Sequence, residues 1–182
     1  MSEERVMSEI EIFISHAHKD QKAAEAFVDF LLDFARVPHE KIRCTAVPGF
    51  AHEVGSTTTG QLKEDLAACK VVVGLLSKEA RDRAFVMMEL GAAWALGKKT
   101  FVLLGSGVEP GNMGPLAEVR MVRAHQIEQL RLEILGMMTQ LAKLVSAPTA
   151  PPDRIERAKE AFLERWKETK FATPWYADDE EE

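Results

Sequence analysis

A chain of 182 residues, 46% hydrophobic and 29% charged, is long enough to bury a full core and short enough to form one domain. No run of eighteen or more apolar residues occurs, and the acidic start has no basic segment leading into an apolar stretch, so neither a membrane span nor a secretory signal is expected and the protein reads as cytoplasmic. Five acids, Asp178, Asp179, Glu180, Glu181 and Glu182, carry most of the formal charge of −6, which leaves a nearly neutral body without the basic stripe that a nucleic-acid partner requires.

The predicted elements alternate between strand and helix. Ile10 to Ile14 reads as a short strand, and Ser15-His16-Ala17-His18-Lys19-Asp20 as a polar loop. Ala23, Phe27, Phe30, Leu31 and Phe34 recur at helical spacing over Gln21 to Phe34, with Asp20 placed to cap the start. Lys41 to Val47 is a second strand, followed by a long irregular loop from Pro48 through Ser56. Thr58 and Gln61 fit a capping box that opens a helix to about Ala68.

Lys70 to Leu76 is the clearest strand. Its run Val71-Val72-Val73-Gly74-Leu75-Leu76 is apolar throughout, as in strands buried on both faces of a parallel sheet. Asp82 to Gly97 reads as a helix, Thr100 to Leu104 as a strand, Gly105 to Pro115 as a loop and Val119 to Val122 as a short last strand. Gln126 to Val145 is a periodic helix. The Pro-rich stretch Ala147 to Pro152 cannot continue it, and Asp153 to Lys170 forms one more helix with Ile155, Ala158, Phe162 and Trp166 along an apolar stripe. Short connections between successive strand and helix units imply right-handed crossovers and a parallel sheet covered on both faces, with functional residues at the carboxyl ends of the strands. Cys44 and Cys69 lack metal-ligand spacing and read as buried, reduced thiols.

Three features carry potential chemistry. Glu89 is the only charge between Ala84 and Leu96. Either the helix has a thin solvent face that Glu89 occupies, or Glu89 faces a cleft, partly desolvated, with a raised pKa. Phe85, Ala92 and Ala93 lie at spacings that share its side of a helix. The loop from Ser15 to Asp20 offers amides and polar side chains to phosphates or ribose hydroxyls, although His16 and His18 alone read as ordinary loop residues and make no metal site. Val47 to Gly55 has the length of a lid. The segment Gly105 to Gly111 does not match a dinucleotide fingerprint, and no P-loop lysine motif, Gly-x-Ser-x-Gly elbow or phospho-acceptor aspartate after the strand ending at Leu76 is found; Ser77 and Ser56 read as caps rather than nucleophiles.

Taken in order, Phe13-Ile14-Ser15-His16-Ala17 with Asp20, Cys44-Thr45-Ala46-Val47-Pro48-Gly49, Leu75-Leu76-Ser77, and Phe85 followed by Glu89-Leu90-Gly91-Ala92-Ala93-Trp94 resemble the bacterial branch of the TIR (Toll/interleukin-1 receptor) domains over about Glu9 to Val145. The resemblance implies an α/β, flavodoxin-like, doubly wound parallel sheet with extra C-terminal helices. With the proline-rich stretch and the run of acids, the chain divides into a TIR-like domain at 1–146, a Pro-rich linker at 147–152, a C-terminal helix at 153–172 and an acidic tail at 173–182, expected to be disordered. The resemblance implies cleavage of the nicotinamide–ribose bond of NAD by hydrolysis or cyclisation, in a pathway of antiphage signalling, with Glu89 essential. NAD is the substrate and no cofactor or metal is implied.

By the same resemblance Ser15, His16, Ala17, Lys19, Pro48, Phe50 and Phe85 line the substrate site, and TIR–TIR contacts mediate self-association. The family often has tryptophan where this chain has Phe85, which keeps an aromatic face but separates this sequence from any rule on hydrolysis against cyclisation. Two other readings belong to different classes: a TIR interaction module without catalysis, and an enzyme similar to the nucleoside deoxyribosyltransferases, which would prefer nucleosides to NAD.

Overall fold

The run Val71-Val72-Val73 requires cover on both sides, and the computed structural model supplies it; the residues described are 10–44, 47, 58–114, 116 and 119–172. Strand β3 (Val71–Leu76), buried along its whole length, occupies the centre of a five-stranded parallel sheet in the order β2-β1-β3-β4-β5. Its companions are β1 (Ile12–His16), β2 (Ile42–Cys44), β4 (Lys99–Leu104) and β5 (Arg120–Arg123). This is the flavodoxin-like strand order, whose direction of winding switches between β1 and β3.

Alternation along each strand sends side chains to two separate cores. Ile12, Ile14, Val73, Leu75, Phe101 and Leu103 meet α1 (Gln21–Phe34), α5 (Ile127–Leu144) and α6 (Pro152–Lys167). Phe13, Val72, Leu76, Val102 and Leu104 meet α2 (Thr58–Ala68), α3 (Lys78–Arg81) and α4 (Ala84–Ala95). No helix among the described residues is long and apolar enough to cross a membrane. Cys44 and Cys69 are both buried thiols.

The apolar stripe of α6 docks on its own chain. Phe162 stacks on Phe30 of α1 with ring centroids 4.7 Å apart, and Trp166 lies 5.1 Å from Phe162 and 5.0 Å from Phe171. The Trp166 indole donates to the Ala124 carbonyl at 2.8 Å, so its one polar atom is satisfied in the core. Pro152 sits in the first turn of α6, where its missing amide hydrogen costs nothing. The preceding stretch pairs with the end of α1 through an Ala35–Thr149 bridge and a bond from the Ala150 amide to the Phe34 carbonyl.

Several boundaries differ from the sequence expectation. Strand β1 runs on through Ser15 and His16, read above as loop, because both extend the ladder on β3 opposite Gly74 and Leu75. Among the described residues the second strand, expected from Lys41 to Val47, is Ile42–Cys44, and Thr45 and Ala46 lie outside them. The helix expected over Asp82 to Gly97 is α4, Ala84–Ala95, and the one-turn α3 precedes it unexpectedly, because Ser77 accepts a bond from the Ala80 amide and starts a turn that ends at Asp82. Asp20 does not cap α1 through its side chain; its carboxylate is turned inward to Ser77. The side chains of the expected capping box, Thr58 and Gln61, the loop from Pro48 to Ser56 and the tail from Thr173 lie outside the described residues.

Candidate functional site at the carboxyl edge of the sheet

Ser15 and Gly74 are partners in the β1–β3 register, beside the point where the winding of the sheet reverses. Both face α4. A methyl group at Gly74 would come 2.9 Å from Leu90 Cδ2, so the bare backbone there lets α4 lie close against the sheet. Glu89 precedes Leu90, and its Oε2 accepts a short hydrogen bond from Ser15 Oγ across the gap.

Glu89 is only 8% exposed, which overturns the reading that it occupies the helix's solvent face. The exposed face of α4 is instead apolar, with Phe85 52% and Met88 68% accessible and Trp94 also open. A helix that is apolar all round offers no polar stripe to orient it, and here its one carboxylate is the group that turns inward. Burial pushes the Glu89 pKa up to about 7, and the Ser15 hydroxyl opposes the shift by stabilising the anion. The site therefore holds a carboxyl poised between its two protonation states near neutrality.

A second hydrogen-bonded pair closes the same edge. Ser77 Oγ donates to Asp20 Oδ2 at 2.7 Å while accepting from the Ala80 amide at 3.0 Å, which links the segment after β1 to the segment after β3. Burial pushes Asp20 up to about 6, again against the effect of its serine partner. This pair was missed in the sequence because its residues are 57 positions apart.

The other expected site residues have separate environments. His16 follows Ser15 along β1, so strand alternation points it to the opposite face from Glu89. Its Nδ1 lies 2.8 Å from the Ala17 carbonyl, which can only accept, leaving Nε2 as a buried lone pair with no partner among the described residues. Desolvation lowers the His16 pKa and keeps the ring neutral. Ala17 is buried, and its carbonyl also accepts from the Asp20 amide at 2.9 Å. Lys19 is exposed and lines a cavity between the start of α1 and the turn after α6. Phe85 is one turn before Glu89 on the outer side of α4, and Pro48 and Phe50 lie outside the described residues. No cluster of three or more candidate metal ligands occurs among the described residues.

No family model matches the chain, and no curated protein matches it either.

Proposed function

We propose that the chain is a TIR-like enzyme that cleaves the nicotinamide–ribose bond of NAD, with Glu89 as its catalytic carboxylate. The observation that carries this reading is the Ser15–Glu89 pair, which buries a carboxylate at the strand ends beside the topological switch point. It occurs at the positions where the sequence resembles the NAD-cleaving TIR domains.

The chemistry needs one anion. Nicotinamide is cationic in NAD and departs neutral, so the leaving group requires no general acid, unlike the paired carboxylates of ordinary glycosidases. Ionised Glu89 would accept hydrogen bonds from the ribose hydroxyls and stabilise the oxocarbenium-like charge as the glycosidic bond breaks. Its burial strengthens that interaction by excluding water. Approach of the cationic nicotinamide favours the ionised carboxylate, countering the burial that raises its pKa. Water, or the adenine of the same molecule, then captures the sugar.

A second reading has its own support. Phe85, Met88 and Trp94 on α4 and Leu96 at its end are each exposed, and large apolar side chains left open to solvent on one short helix favour a protein contact. This favours self-association of like domains, either with catalysis or in place of it.

Purified protein supplied in parallel with NAD, nucleosides and buffer, with products resolved by chromatography and mass, tests the assignment. Nicotinamide released from NAD, with nucleosides left intact, supports it. Cleavage of nucleosides alone transfers the site to the deoxyribosyltransferase-like class, and no turnover with concentration-dependent association supports the interaction module.

A further inference from the structure

Two buried hydrogen bonds join the end of β1 to the chain that follows β3. One runs from Ser15 to Glu89; the other, from Ser77 Oγ to Asp20 Oδ2 at 2.7 Å, takes no part in bond cleavage. Asp20 is 2% and Ser77 4% exposed, so neither side chain is placed to meet a substrate. A carboxylate held in the interior costs stability that an apolar side chain would not, and its retention calls for a reason.

The two bonds belong to one closed ring. Ala17, two residues beyond Ser15, accepts from the Asp20 amide at 2.9 Å, and the Asp20 side chain accepts from Ser77. Ser77 Oγ accepts in turn from the Ala80 amide at 3.0 Å, the Ala80 carbonyl from the Arg83 amide at 3.1 Å, and the Arg83 carbonyl from the Met87 amide at 3.2 Å, within the first turns of α4. Glu89 follows Met87 and returns the path to Ser15. The links through Ala17, Ala80 and Arg83 are local in sequence, so Asp20 with Ser77 and Ser15 with Glu89 are the two ties of the ring that cross from one stretch to the other.

Packing of Leu90 on Gly74 sets how close α4 lies to the sheet, but apolar contact has no direction. Hydrogen bonds weaken steeply with angle, so a second tie restricts the pivoting that packing allows. The one-turn α3 is too short to hold its own course and depends on the cap at Ser77 and on what holds Ser77. A misplacement of Glu89 by about 1 Å would cost on the order of 10²-fold in rate.

We propose that Asp20 is a positioning residue for Glu89, fixing through Ser77 and α3 the place of α4 against the end of β1. This rests on the reading of Glu89 as the catalytic carboxylate. The task at position 20 is to accept a hydrogen bond, not to carry charge, so asparagine serves there and alanine does not.

Two measurements on the full chain test the role. In steady-state kinetics with NAD, Asp20→Ala is expected to lower kcat about tenfold or more with KM within about threefold of wild type, and Asp20→Asn to restore kcat to within about threefold. Ser77→Ala breaks the same bond from the other side, and the double variant Asp20→Ala with Ser77→Ala should be no slower than the slower single one. The second measurement needs no turnover: the Glu89 carboxyl is titrated by carbon NMR of labelled protein, its signal assigned by its loss in Glu89→Gln. Burial and the Ser15 hydroxyl are the influences on this group, so a change at position 20 reaches it through geometry. With the Ser15 bond loosened, its midpoint should rise above about 7 in Asp20→Ala and stay in place in Asp20→Asn. Melting curves report which variants fold, and Ser77→Ala is read in the same way if Asp20→Ala does not. A wild-type chain that leaves NAD intact would remove the catalytic reading while the titration still decides the positioning. A Glu89 midpoint that does not rise in a folded alanine variant, or Asp20→Asn behaving as Asp20→Ala does, would overturn the proposal.

Discussion

Ser15 on β1 and Glu89 on α4 are 74 residues apart in sequence and joined by one buried hydrogen bond. The bond exists because Ser15 pairs in register with Gly74, and the missing side chain at Gly74 admits Leu90, the neighbour of Glu89, to the sheet. Strand register, a bare glycine and an apolar helix together place one carboxyl at the strand ends with its pKa near neutrality.

The first prediction concerns pH. A carboxylate that must be ionised gives kcat/KM for NAD that rises with pH and levels above about 7. The Ser15 hydroxyl lowers the Glu89 pKa, so Ser15→Ala moves this rise to higher pH. A profile unchanged by Ser15→Ala would separate Glu89 from the titrating group.

Stability should move in the opposite sense. Glu89 has a folded pKa of about 7 against an ordinary 4.5, so the folded protein binds the proton more tightly and loses stability as pH rises through that window. Glu89→Gln removes the cost of ionisation. Its stability relative to wild type should improve by roughly 3 kcal/mol between about pH 4.5 and about pH 8, measured by denaturant unfolding at each pH. A difference that does not vary with pH would contradict the burial of the charge.

Gly74→Ala tests the close approach of α4. The new methyl group meets the Leu90 side chain in a filled core, and repacking should cost about 1–3 kcal/mol. Because Leu90 adjoins Glu89, activity should fall by on the order of 10-fold to 10²-fold in protein that remains folded. Unaltered kinetics would show that the position of Glu89 does not depend on this contact.

Much of this architecture is legible in the sequence, and the limits have physical causes. The all-apolar run at Val71–Leu76 identified the central strand because only cover on both faces suits it. Ser15 and His16 read as loop because they are polar, although the ladder to β3 extends through them. The orientation of α4 could not be read, since a helix apolar on every side has no periodic signal. Asp20 matched the local pattern of a cap, but its partner Ser77 is brought to it only by the parallel sheet. Local chemistry was visible, and pairings made by topology were not.

Ser77→Ala tests that pairing. It removes the cap of α3 and leaves a buried carboxyl without its donor, for a combined loss of about 2–4 kcal/mol and a fall in Tm of roughly 5–15 °C. Asp20 already has a pKa raised from 3.8 to about 6, and losing Ser77 raises it further. Stability associated with this group is lost as pH rises through its folded value, so the deficit of Ser77→Ala should widen above about pH 6. Thermal melts across pH measure it.

Deletion of 152–182 removes α6 and with it the burial of Phe162, Leu163 and Trp166. Each such side chain contributes about 1.5–3 kcal/mol, so their loss is comparable to the stability of a typical domain. The truncated chain is expected to lose its cooperative unfolding transition by circular dichroism. A truncated chain that melts as wild type does would show that α6 is dispensable to the core.

The most direct test of the central claim is NAD consumption by the purified wild-type chain and Glu89→Gln over a range of protein concentrations, with both confirmed folded. The account predicts nicotinamide release by wild type and a loss on the order of 10² to 10³ in rate for Glu89→Gln. Equal rates in the two proteins, or no nicotinamide from wild type at any concentration, would contradict it.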